Sequence, residues 1–124
     1  MIWKNILLVA LGGGLGSILR YLSQRFISAS FPHTFPIGTF LVNITGCLLI
    51  GILYSISLKQ QQLSQEIRLL LMTGFCGGFT TFSAFTLEGM QLIQQEKFLI
   101  FFLYFALSVL TGLLATFAGA WIGR

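Results

Sequence analysis

Four long apolar stretches separated by short polar ones organise the chain, at about 5–27, 36–58, 66–95 and 98–122. A helix needs about 20 mainly apolar residues to cross a bilayer. The pattern therefore predicts one all-α membrane domain, residues 1–124, with four transmembrane helices. Pro32 and Pro36 mark the first connection as non-helical, and Pro36 can open the second helix. A glutamine-rich loop, 59–67, makes the second connection. The third stretch, at about 30 residues, is long for one span. It carries Gly74-Phe75-Cys76-Gly77-Gly78-Phe79-Thr80-Thr81-Phe82-Ser83-Ala84-Phe85, with three glycines inside five residues. Each glycine weakens a helix by about 1 kcal/mol. The adjacent threonines can satisfy loosened backbone groups through their hydroxyls. A third helix broken near its middle is expected. Broken backbone at membrane depth survives only inside protein or beside a wet cavity, where transport proteins place ions.

The other spans carry patterns of their own. In the first, Gly12 and Gly16, and Gly13 and Ser17, lie four apart and predict close helix packing. A dinucleotide-loop reading of 12–17 fails, because no strand precedes it and no acidic residue follows at about 20 positions. Arg20, near the end of this span, has two readings: it snorkels to the interface, or it holds a structural or anion-attracting place inside the protein. In the second span Thr39, Asn43, Cys47, Gly51 and Ser55 form one small-and-polar stripe. The Asn43 amide is either interhelical glue or a donor to an anion. In the third, Phe82 and Phe85 share a face beside the break, and ring edges carry positive potential that attracts anions. Glu88, one turn on, is expected near the membrane surface, solvated or at a pore mouth. In the fourth, Tyr104, Ser108 and Thr111 share a face, as local backbone bonds or as pore lining. Gly112, Thr116 and Ala120 form a second packing row.

Composition agrees with this picture. The chain is 56% hydrophobic and 8% charged, against about 25% charged for an ordinary soluble domain. The net charge of +4 is scattered, with no basic run or stripe, so nucleic acid is not an expected partner. There is no aspartate and one histidine, which removes most acid–base and metal-hydrolase schemes and makes an enzyme unexpected. Cys47 and Cys76 read as small buried side chains. Lys4 before an apolar stretch is not read as a signal peptide, because three more spans follow.

Four spans put both termini on one side. That side carries Lys4, Lys59, Arg68 and Arg124, and the other carries Arg20, Arg25 and Lys97. Orientation needs a bias in such charges, and here it is nearly absent, so both orientations are expected to insert. The expected assembly is an antiparallel, dual-topology homodimer with a two-fold axis in the membrane plane. Carbonyls freed by the two breaks would then converge on one hard cation on that axis, since such cations prefer oxygen ligands.

Several of these motifs stand in the order found in one family. Gly12 to Ser17 with Arg20, then Pro36-Ile37-Gly38-Thr39 with Val42-Asn43 and Gly46, then Gly74 to Phe85, cover essentially the whole chain. The sequence resembles the Fluc family of fluoride channels, also called CrcB proteins. The resemblance implies a dual-topology homodimer in the plasma (inner) membrane of a prokaryote, with two fluoride pathways and a structural sodium ion at its centre. It implies that backbone carbonyls of Gly77 and Thr80 bind sodium (Na+). It places Asn43, Phe82, Phe85, Ser83, Tyr104 and Ser108 along the fluoride path, and Arg20 and Glu88 towards a vestibule. Ala84 stands where many relatives have threonine, so one hydroxyl is missing.

Fluoride is small and strongly hydrated, so a selective pore must replace much of its water. The Asn43 amide, the Ser83 and Ser108 hydroxyls and phenyl edges are neutral donors suited to that. No lysine lies within a span, in keeping with the weak, multiple sites that conduction requires. The expected function is passive fluoride export from the cytoplasm, limiting toxicity. A small proton-coupled exporter of cationic drugs is the first rival, but it would call for a membrane-embedded acid such as a first-span glutamate, and all three glutamates lie in or beside the third stretch. A non-transporting assembly subunit is the second, and it leaves the broken span unexplained.

Overall fold

The computed structural model describes residues 1–31, 34–59 and 63–124. Pro32 and part of the glutamine-rich loop lie outside the described residues, within which every regular element is helical. Helix α1 is Ile2–Ser30 and α2 is Ile37–Leu58. Helix α3, residues 65–79, joins an α-helical turn Gln65–Arg68 to a π-helical stretch Leu69–Cys76 and a last turn Gly77–Phe79. Helix α4 is Ser83–Gln94 and α5 is Phe98–Gly123. Taking α3 and α4 together, four segments are long and apolar enough to cross a membrane: Ile2–Ser30, Ile37–Leu58, Gln65–Gln94 and Phe98–Gly123. The first outruns its apolar core at both ends and takes in Lys4 and Arg25, both exposed.

The third segment is broken, but not at its glycines. Gly74, Gly77 and Gly78 are all helical. The chain leaves the helix at Thr80, which is extended at φ −91 and ψ 158, and re-enters it at Ser83. The cause is a competing bond: the Thr81 N–H donates to the Asn43 Oδ1 at 2.8 Å instead of to the Gly77 carbonyl four residues back. The threonines act as their hydroxyls suggested. Thr80 Oγ1 donates to the Cys76 carbonyl at 2.8 Å, and Thr81 Oγ1 accepts the Ala84 N–H at 3.2 Å.

The helices pack as two close pairs, α1 on α3 and α2 on α5. Both pairs are built on small residues that bring backbones together. On α1 a Cβ at Gly16 would sit 2.9 Å from the Phe79 amide nitrogen, and a Cβ at Gly78 would sit 3.0 Å from the Gly13 Cα. Gly12 and Gly16 are the buried residues of α1, as the four-residue spacing predicts. Across the second pair, Gly51 of α2 faces the backbone of Thr116 and Ala120, and the Ser55 hydroxyl donates to the Ala120 carbonyl. The polar stripe of α2 therefore points inward along its whole length, and the outer faces of α1 and α5 carry exposed leucine, isoleucine and phenylalanine.

The packing predicts a sharp difference between neighbouring glycines. Gly16→Ala forces a methyl into the α3 backbone and is expected to cost about 1–3 kcal/mol. Gly14→Ala meets nothing within 4 Å and is expected to hold or slightly raise stability. Thermal unfolding in detergent distinguishes them, and equal melting of the two variants would contradict the α1–α3 contact.

Candidate functional site

The break lies between α1 and α2, and both helices send polar side chains to it. From α2, Asn43 binds both backbone groups of Thr81: its Nδ2 donates to the Thr81 carbonyl at 3.0 Å and its Oδ1 accepts the Thr81 N–H at 2.8 Å. A carboxamide has two N–H donors, so one remains for a further acceptor. From α1, Arg20 Nε donates to the Gly78 carbonyl at 3.0 Å, and Ser17 Oγ lies 3.5 Å from the same oxygen. Beside these two anchors the carbonyls of Gly77, Phe79 and Thr80 accept no hydrogen bond among the described residues. Uncommitted carbonyl oxygens this close along the chain are a donor set that suits a hard cation. One chain supplies too few for a complete shell of about six.

A groove of about 440 Å³ runs past the break. It brings together Asn43, Gly77, Thr80, Phe82, Phe85 and Ser108. The Phe82 and Phe85 rings approach to 5.9 Å between centroids, tilted by 49°. Phe85 is buried, stacked on Phe105 at 4.2 Å and edge-on to Tyr104 at 5.1 Å, whereas Phe82 is 75% exposed. Ser108 Oγ is buried without a hydrogen-bond partner among the described residues. The groove is thus walled by apolar rings and carries a few neutral polar groups, and no full charge lines it.

Ser83, Tyr104, Arg20 and Glu88 lie outside that lining. Ser83 is exposed, with its hydroxyl 3.4 Å from that of Thr81. Tyr104 is fully buried, and its hydroxyl donates to Glu88 Oε1 at 2.9 Å. Thr39 donates to Glu88 Oε2 at 2.8 Å and accepts from Gln24 Nε2 at 3.0 Å. Glu88 is therefore half-buried and held by two hydroxyls rather than simply solvated, because α2 and α5 bring those hydroxyls across α4. It also borders a smaller cavity of about 210 Å³ with Gln91 and Gln95. The hydroxyl row of the fourth helix divides, since Thr111 bonds its own Leu107 carbonyl. The pairing of the Thr81 backbone with Asn43 and the contact of Gln24 with Thr39 were not visible in the sequence. Only the polar stripe that holds Thr39 pointed toward this network.

The sequence matches the family model described as CrcB-like protein, Camphor Resistance (CrcB), over residues 7–120. It is 50% identical over 121 residues to a Flavobacterium psychrophilum protein named fluoride-specific ion channel FluC, covering 98% of each chain. It is 45% identical to a protein of the same name from Phocaeicola vulgatus, covering 98% of this chain and 99% of that one. For a Bacteroides fragilis protein, again of that name, identity is 48% over 98% of this chain and 97% of the other. Those names describe an ion channel rather than an enzyme.

Asn43 is expected to matter for stability. Asn43→Ala leaves two backbone groups of Thr81 unpaired, at about 1–3 kcal/mol each if they stay dry. Ser83→Ala removes one long, exposed contact. Melting of purified protein should fall clearly for Asn43→Ala and hardly for Ser83→Ala. Indistinguishable melting curves would show that Asn43 does not hold the break.

Proposed function

The chain belongs to the CrcB family, and on that premise we propose that it is a fluoride-selective channel of a prokaryotic plasma membrane. Fluoride moves passively, out of the cytoplasm when the gradient points outward. The observation that carries this reading is the near-complete overlap with relatives named as fluoride channels, together with a ring-walled groove at a broken span. Fluoride leaves water only if other donors replace the hydration shell. The second Asn43 N–H, the unpartnered Ser108 hydroxyl and the edges of Phe82 and Phe85 are such donors. Ser83 and Tyr104 serve at its ends or through neighbours, Tyr104 by orienting the Phe85 ring it packs against. Neutral donors bind weakly enough to let the ion go, and the absence of charge in the groove lining suits that.

The working form is an antiparallel homodimer. Support comes from the near-balanced charges and from a Phe82 ring left three-quarters exposed in one chain. Support for a central sodium ion comes from the uncommitted carbonyls at the break, Gly77 and Thr80 among them. A second copy doubles them, which brings the count closer to the shell a hard cation prefers. The sodium is structural in this reading and does not travel with fluoride.

Efflux from liposomes holding purified protein tests the proposal. Fluoride is expected to leave fast and chloride to stay, with Phe82→Ile slowing fluoride loss by about tenfold or more, the equivalent of about 1.4 kcal/mol on the barrier. Folded protein that releases neither ion, or both equally, would overturn the fluoride assignment.

A further inference from the structure

Arg20 is a cation in the first span, and an anion channel invites the view that its charge attracts the ion. The geometry points to another role. The Nε, not the terminal nitrogens, donates to the Gly78 carbonyl at 3.0 Å. Gly78 lies in the last turn of α3, where helix carbonyls have no intrahelical partner. It also lies where α3 meets α1 backbone to backbone, at Gly13. Ser17, one turn before Arg20, reaches the same oxygen. Asn43 fixes Thr81 from the opposite helix. The broken stretch is thus gripped at Gly78 from one side and at Thr81 from the other, and the free carbonyls of Gly77 and Thr80 adjoin the two grips.

We propose that Arg20 is a positioning residue that sets the geometry of the Gly77 and Thr80 carbonyls through its Nε–H bond to Gly78, and that its charge is dispensable for this. Whatever those carbonyls bind, their spacing follows from where the end of α3 is pinned. The effect on conduction rests on the channel reading above, whereas the effect on the backbone does not.

Side-chain length makes the test selective. The Nε2 of glutamine stands the same number of bonds from Cα as the Nε of arginine, so Arg20→Gln keeps the donor and loses the charge. The Nζ of lysine is one bond farther, so Arg20→Lys keeps the charge and misplaces the donor. Arg20→Met loses both. Amide hydrogen exchange of peptides covering 77–82, followed by mass spectrometry on protein in lipid nanodiscs, is the primary readout, with peptides of α5 as internal control. Arg20→Met is expected to exchange about tenfold faster there or more, the effect of losing a charge-assisted hydrogen bond. Arg20→Gln should stay within about threefold of the parent, since a neutral bond is about half as strong. Arg20→Lys should exchange faster than Arg20→Gln, and this comparison decides the matter if Arg20→Met is not recovered folded. Fluoride efflux is expected to follow the same order, with Arg20→Gln above Arg20→Lys. Equal exchange in Gln and Lys variants, or slower exchange in the lysine variant, would overturn the proposal. If exchange follows the predicted order while no variant or parent conducts fluoride, the positioning role stands and the channel reading fails.

Discussion

Backbone polar groups inside a membrane must be satisfied by protein, because lipid offers no hydrogen bonds. The bond between Asn43 and Thr81 answers that requirement and at the same time creates the feature that needs it. By accepting the Thr81 N–H, Asn43 takes away the donor that would have continued α3, so the helix stops and the Gly77 carbonyl is released. By donating to the Thr81 carbonyl, it satisfies one of the groups the stop leaves behind. One carboxamide therefore both breaks the third span and makes the break tolerable. The two readings of Asn43, as glue and as donor, are compatible, since a primary amide carries a second N–H.

The rest of the fold places that amide and its target. Small residues let α1 lie against α3 and α2 against α5 at backbone distance, which leaves long side chains little room to shift at the crossings. Thr80 then closes the end of α3 with its hydroxyl, Thr81 caps α4, and Arg20 holds Gly78. The groove inherits its shape from these fixed points. Phe85 is locked by stacking and by the Tyr104 ring, and Tyr104 is in turn tied to Glu88. The chain Gln24–Thr39–Glu88–Tyr104 holds a half-buried carboxylate by two hydroxyls. Hydrogen-bonded networks of this kind are stiff and specific, and this one links α1, α2, α4 and α5.

Much of this was legible in the sequence, and what was not has a common cause. The four spans follow from hydropathy alone. The packing glycines of α1 and the stripe of α2 follow from spacing, because helical geometry is regular. The break falls inside the stretch Gly74 to Phe85 that the sequence singles out, but the glycines whose propensity points to it stay helical. The deciding term is instead a bond from Asn43, 38 positions away in sequence. The partners of Glu88 and Arg20 were hidden for the same reason, since Thr39, Tyr104 and Gly78 meet them only through tertiary packing. Thr111 shares a helical face with Ser108 in projection, yet bonds its own backbone, which periodicity cannot distinguish.

A channel differs from a coupled transporter in what sets its equilibrium. The most direct test is the reversal potential of current through purified protein in a planar bilayer, with fluoride and chloride gradients opposed. The account predicts reversal at the fluoride equilibrium potential, unchanged when a sodium gradient is imposed or inverted. Reversal near the chloride potential, or a reversal that shifts with the sodium gradient, would contradict it.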